Sequence, residues 1–412
     1  MPDLQRIKQN LDEKAKLALN KKALFGEDID LISFRKEPIE KEYPADLKSL
    51  SEAQARVALE AGIDLKEKER SGTFLQMDHS VIHAQSNKEG LEVMSTTEAL
   101  KKYDWLMENY YWKALAVDTD KYTAYAQLNP FHGYFIRALP GQKASFPLQA
   151  CLFLKSSNLI QSVHNIIIAE EGSELQIITG CTTKSFGEAG MHIGISEFYV
   201  KKNAKITFTM IHNWREKIAV RPRTATIVED NGIFLSNYIC LKPVRNIQMY
   251  PKASLVGKNS LARYNSILYA HPGSNLDVGS KVTLSGQGAR AEIIARAIAH
   301  NGNIIARGNL RGETAPIKAH LECRGLILGE RGNIFAIPEL EGCTEGVDMS
   351  HEAAVGKIAK EEIEYLMSRG LSSAEAQAAI VRGFLDVSIM GLPDVLKQEI
   401  DKAIDSCEKE LL

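Results

Sequence analysis

The turn positions in the second half of this chain recur at a nearly fixed interval, and that interval restricts the fold more than any other feature. Gly172 to Asn203 is 31 residues, Asn203 to Gly232 is 29, Gly273 to Gly302 is 29 and Gly302 to Gly332 is 30. Each turn is built on Gly or Asn, which tolerate φ > 0, and is flanked by charge. Between the turns lie short runs rich in Ile, Val, Phe and Thr, such as "NIIIAEEGSELQIITG" and "TATIVEDNGIFLSNYI". Such a period predicts a stacked β-structure, a β-helix, in which each repeat buries its apolar face against the next. The period breaks between Gly232 and Gly273, so the pattern alone leaves a β-sandwich open.

The flanks differ in texture. Residues 1–125 read as a helix-rich region with loops, with Ser95 or Thr96 capping a helix in "STTEALKKYDWLMENYYWKA". The β-rich core is expected over 126–347. From 348 to 412 the chain returns to helix: a helix-like pattern begins at His351 and Glu352. Ile358, Ile363, Leu366 and Met367 then share one face, and Gly370 suits a C′ position. Ser372 and Glu375 have capping-box spacing, and Pro393 suits the first turn of a last helix. The fold expected is mainly β, with helical segments on both sides.

Lys+Arg number 50 against 52 Asp+Glu, which favours neither nucleic acid nor an anionic membrane as partner. No apolar run reaches the roughly 18–20 residues that span a bilayer. The charged N-terminus has no apolar signal core, so the expected location is the cytoplasm. GxxxxGK[ST], HExxH and GxSxG are absent, and "SGQGARAE" lacks a dinucleotide-binding context. No carboxylate spacing singles out a glycosidase pair, so a solenoid enzyme acting on polysaccharide has no support beyond its fold.

Six cysteines, Cys151, Cys181, Cys240, Cys323, Cys343 and Cys407, lie far apart without a CxxC pair. A disulfide framework is not expected, and most read as small buried hydrophobes. Cys181 and Cys323 end or occupy strand-like runs, and His351 and Glu352 follow Cys323 by 28 and 29 residues, about one repeat. Adjacent rungs would bring thiolate, imidazole and carboxylate together as a mixed soft and hard site suited to iron, zinc or an iron–sulphur cluster, completed by a second copy. The competing reading is structural: a core cysteine, a histidine at a helix start and a glutamate favouring the helix dipole. His164, His192, His212 and His300 show no ligand spacing and read as structural.

The stretch "MSHEAAVGKIAKEEIEYLMSRGLSSAEAQAAIVRGF" resembles the C-terminal signature of the SufB/SufD family, the scaffolds of SUF iron–sulphur cluster assembly. "VHNIIIAEEGSELQIITGCT", "IHNW" and "LECRGLILGERG" fall in the family's order, so the likeness covers about residues 125–390. The resemblance implies a right-handed parallel β-helix flanked by helical domains. It also implies pairing through the β-helix and binding of the SufC ABC-type ATPase by the C-terminal helices. The chain would then be an assembly scaffold and not itself an enzyme. It further implies Cys181 as acceptor of sulphur, and Cys323, His351 and Glu352 as ligands of a transient cluster at a subunit interface. Implied partners are a SufC-like ATPase, a second copy or a second SufB/SufD homologue, a sulphur donor and apo-protein acceptors. The chain looks more like a SufB, or an undivided ancestor-like homodimeric form, than a SufD; a SufD-like structural subunit holding no cluster is the alternative. It departs from the SufB pattern in lacking a cysteine-rich N-terminal motif and in carrying Phe153, Lys155 and His212 on the implied sulphur route, where Trp214 is kept.

Overall fold

In the ~30-residue repeats each period holds two strands and two corners, and the strands stack in register into two parallel sheets. The computed structural model describes residues 4–38, 50–144, 146–183 and 189–385. It is a β-helix of about seven turns with helices toward the termini. One sheet, the cysteine sheet, runs Gly72–Met77, Leu148–Leu154, Glu174–Thr183, Lys205–Asn213, Ile233–Cys240, Leu261–Ala270, Arg290–His300, Ile317–Leu328 and Val347–Lys357. The opposing sheet includes Tyr134–Ala138, Ile160–Ala169, Gly190–Val200, Arg223–Val228, Asn275–Leu284, Asn303–Gly312 and Asn333–Gly342.

Strand alternation sends every second side chain into the lumen between the sheets. In Arg290–His300 these are Ala291, Ile293, Ala295, Ala297 and Ala299, all buried in the central core. Outward residues of the same sheet form separate clusters. Ile178, Ile211, Ile239, Ile267 and Ile298 are covered by Val381, Phe384 and Leu385 at the end of helix Ser373–Phe384. Leu75, Cys151 and Phe153 are covered near helix Glu52–Glu60. Helices Leu4–Ala18 and Lys121–Leu128 pack on the outside of the opposing sheet.

The corners explain both the period and its break. Gly172, Asn203, Asn231, Asn259 and Gly288 hold φ of +70°, +59°, +54°, +55° and +77° where the chain enters the cysteine sheet. Gly273, Asn301 and Gly329, at +82°, +55° and +79°, hold the corners where it leaves. The sequence spacing thus followed one corner series as far as residue 232 and the other from 273 onward. The left-handed residues are Asn231 and Asn301, not the neighbouring Gly232 and Gly302. Asn231 Nδ2 donates to Asn203 Oδ1 at 3.0 Å, which joins successive corners by side chain as well as by backbone.

Two stretches differ from expectation. The N-terminal region contributes β-structure from Gly72 onward, where Gly72–Met77 pairs in parallel with Leu148–Leu154. And "VDMSHEAAVGK" is a strand, paired residue for residue with residues 317–327, so His351 and Glu352 begin no helix. Helix begins at Lys360. The alanines that read as helical sit in a period-two pattern, in which Met349, His351 and Ala353 keep one phase. The C-terminal caps follow the sequence: Gly370 takes φ +101°, and Ser372 and Glu375 form a capping box. The Pro393 helix and Cys407 lie outside the described residues. Among those residues no helix is long and apolar enough to cross a membrane.

Candidate functional site

Cys181 points into the lumen and is 1% exposed. Its register neighbours are Leu152 on one side and His212 on the other. The Gly–Cys pair in "TGC" has a packing cause: Gly180 faces outward, where a Cβ would meet the Ala61 carbonyl oxygen at 2.5 Å. Burial holds the Cys181 thiol well above its usual range, with the nearby Cys151 adding to the shift. His212 Nδ1 lies 2.8 Å from the Tyr238 hydroxyl, and burial keeps its ring neutral. Trp214, with its ring 5.6 Å from that of His212, completes this wall. Phe153 is on the other face, under helix Glu52–Glu60, and does not line the lumen.

Cys323 also faces inward and is 3% exposed, between Ala295 and Ala353 in register. Burial first, and the charge of Glu322 second, push its thiol up to about 11. Five strand steps separate it from Cys181: Lys205–Asn213, Ile233–Cys240, Leu261–Ala270, Arg290–His300 and Ile317–Leu328. At about 4.8 Å per step the two cysteines stand roughly 24 Å apart along the axis.

His351 pairs with Leu321 and shares the inward phase of Cys323, yet it is exposed because its strand is the last of the sheet. Glu352 pairs with Glu322 on the outer face. There Arg324 Nε lies 2.8 Å from Glu322 and its Nη2 lies 3.3 Å from Glu352. His320 belongs to this outer group, with Nδ1 2.8 Å from Ser350 Oγ. Ligand-capable atoms of His320, Glu322 and Glu352 lie within 4.8 Å of one another. Strand alternation therefore brings Cys323 and His351 to one side and Glu352 to the other within a single chain. His320 and Glu322 were absent from the sequence-derived set. Their signal was the period-two spacing His320, Glu322, Arg324 opposite Ser350 and Glu352.

The rung that carries His351 is the last one among the described residues. Val347–Lys357 and Asn333–Gly342 each have one partner strand among the described residues. Phe335 is 60% exposed and Val355 42%. Such an edge presents unpaired N–H and C=O groups that another strand can use. Cys343 is exposed beside it, whereas Cys151 and Cys240 are buried.

Residues 152–384 match the family model described as SUF system FeS cluster assembly, SufBD core domain. The chain is 49% identical over 399 residues to an iron-sulfur cluster assembly SufBD family protein of Methanothermobacter thermautotrophicus, covering 95% of this chain and 97% of that one. It is 54% identical over 353 residues to a SufBD family protein of Archaeoglobus fulgidus, covering 86% and 95%. A relative in Pyrococcus horikoshii shares 32% over 347 residues, covering 83% and 78%. With a β-helix, its inward cysteines and these relatives in agreement, the chain belongs to the SufBD family of iron–sulphur cluster assembly proteins.

Proposed function

We propose that this protein is a cytoplasmic, homodimeric scaffold on which an iron–sulphur cluster is built and released, with a SufC-like ATPase as partner. Sulphur enters at Cys181: a donor persulphide R–S–S⁻ passes its outer sulphur to the Cys181 thiolate, leaving R–S⁻ and Cys181–S–S⁻. The thiol is protonated while buried, so loading requires the lumen to open or the proton to be taken locally. Iron and sulphur, the cargo, assemble between two bare edges on Cys323 and His351 of both copies, with Glu352 as the hard ligand. The observation that carries this reading is the shared inward phase of Cys323 and His351 on the last two strands of the cysteine sheet. Thiolate holds iron firmly and imidazole or carboxylate less so, which suits a cluster that must leave. Tyr365 and Met367, 57% and 44% exposed on helix Lys360–Ser368, offer apolar contact to the ATPase. ATP-driven motion there would act on the interface.

A second reading, a structural subunit that holds no cluster alone, is favoured by one fact: Glu352 faces away from Cys323 and is paired with Arg324. Anaerobic reconstitution with ferrous iron and sulphide decides between them. Cluster absorbance in the purified homodimer that vanishes in Cys323→Ala supports the first. No cluster in the homodimer, with stable binding to a separate SufB/SufD homologue, sinks it in favour of the second.

A further inference from the structure

On the outer face of the last two strands of the cysteine sheet, acid stands against acid. Glu322 and Glu352 are register partners, and His320 pairs with Ser350 one outward position away. Like charges directly opposite on neighbouring strands repel, and the single guanidinium of Arg324 serves both carboxylates. Arg324 also leaves one atom unserved. Its Nε is 2.8 Å from Glu322 Oε1 but off hydrogen-bond alignment, so that oxygen is buried without a hydrogen-bond partner among the described residues. A buried polar atom in that state calls for a further partner. Ligand-capable atoms of His320, Glu322 and Glu352 lie within 4.8 Å of one another. Ligands about 2.1 Å from one ion stand at most about 4.2 Å apart, so a closure of about half an ångström completes the set. His320 Nδ1 is 2.8 Å from Ser350 Oγ; donating there fixes the ring and leaves the Nε2 lone pair for a metal. His320 and Ser350 also line a cavity of about 400 Å³ on this face, which opens the group to solvent.

We infer that His320, Glu322 and Glu352 form a mononuclear site for a divalent first-row metal ion, and that Arg324 is the internal cation this metal displaces. One imidazole nitrogen and two carboxylates, with no thiolate, make a hard-to-borderline set suited to ferrous iron, manganese or zinc. In a protein whose cargo is iron and sulphur, ferrous iron is the occupant. That choice of ion rests on the cluster-assembly reading, whereas the site itself needs neither Cys323 nor a second copy. It gives Glu352 a ligand set on the face where it stands. Three protein ligands leave the remaining coordination positions open toward the cavity, where water fills them. Binding is then an exchange: the ion enters as the guanidinium swings out to solvent. Arg324 keeps the two carboxylates from repelling each other while the site is empty. It also weakens metal binding, which suits an ion that is to be handed on. His351 and Glu352 are consecutive on the last strand, one inward and one outward, so the ion stands across a single strand from the thiol side.

The test is anaerobic titration of the full chain with cobaltous ion, followed by its d–d absorption and by competition with ferrous iron. One ion per chain is expected, with the bands of a nitrogen–oxygen set and no thiolate-to-cobalt charge transfer. Glu322→Gln keeps the shape and removes the charge, and His320→Gln removes the imidazole; each should weaken binding about tenfold or more. Arg324→Gln should act in the opposite direction and tighten binding about threefold or more, because it removes the competitor. A salt-bridge network that holds no metal has no reason to show that reversal. Circular dichroism on each variant confirms that the β-helix is retained. Unchanged binding in both Glu322→Gln and His320→Gln, or weaker binding in Arg324→Gln, overturns the site. So does a charge-transfer band that vanishes in Cys323→Ala, since it would put the ion on the inner face. The reading beneath is tested apart: Cys323→Ala should leave the cobalt site intact and abolish the reconstituted cluster. Cluster formation in Cys323→Ala overturns that reading, and with it the choice of iron, but not the site.

Discussion

The two ends of the β-helix are built on opposite rules. At the first rungs, helices cover both outer faces, and even the charged groups are enclosed. Glu197, fully buried, accepts from the backbone N–H groups of Trp112, Ala114 and Leu115 at 2.7, 2.7 and 3.1 Å, from Tyr199 at 3.0 Å and from His164 at 2.9 Å. That single carboxylate ties the 112–115 loop to the opposing sheet. At the last rungs, the comparable polar group has Arg324 and Glu352 open to solvent with His320 and Glu322 partly covered, and the last strands lack a second partner among the described residues. A solenoid needs one end finished and can leave the other to a partner. The contrast teaches which rungs hold the fold and which are free to do chemistry.

The contrast can be broken by substitution. Glu197→Ala leaves the backbone N–H groups of Trp112 and Leu115 and an imidazole unpaired in the interior, and should cost about 3–5 kcal/mol in urea unfolding. A loss near zero would mean that the covered end is not where stability resides. Two phenylalanines sharpen the point. Phe234, 1% exposed in the lumen beside Phe198 and Tyr264, should cost about 3–5 kcal/mol as Ala. Phe335→Ala at the open end should change monomer unfolding by about 0.5 kcal/mol or less, yet weaken self-association in sedimentation.

The ends should also answer pH differently. Burial lowers the His192 pKa to about 3, so the folded chain holds this ring neutral. The unfolded chain binds the extra proton between pH 6.5 and about 3, and the resulting stability is lost as pH falls through that window. His192→Gln should flatten the acid limb of stability against pH. Cys323 acts on the alkaline side. The fold favours its protonated thiol, so this contribution is intact below pH 9 and is lost as pH rises toward about 11. Its alkylation rate should climb about tenfold per pH unit in the same range. The smallest effect is expected from Arg324→Gln. Arg324 and Glu352 are exposed and only Glu322 is largely covered, so breaking their pairing should shift stability by about 0.5 kcal/mol or less. A loss of several kcal/mol there would erase the distinction between the ends.

Much of the architecture was legible in the chain because a solenoid writes its period into the turns. The corner residues could be found only to within one position, since Asn and Gly both tolerate φ > 0 and stand side by side in "DNG" and "HNG". The site was legible in part. An offset of one repeat brings Cys323 and the His351 strand together, but whether a residue points in or out depends on strand parity. That parity was hidden while "SHEAAVG" read as helix. Reading it as strand separates His351 from Glu352 and brings His320 and Glu322 to the latter. The resemblance put Phe153 and His212 on one implied route, but the parity of its strand turns Phe153 outward, whereas His212 stands in register with Cys181.

The register of the cysteine sheet has a further consequence. Because every turn advances the chain by one strand spacing and returns it to the same phase, the distance from Cys181 to Cys323 is quantised. Removing or adding one whole repeat would change it by about 4.8 Å while leaving the inward orientation of both thiols intact. A one-residue slip would instead turn one of them outward. The β-helix is thus a ruler whose graduations are rungs: it fixes the separation of the two thiols in whole-turn units, and it protects their aim from any change in length that respects the turn.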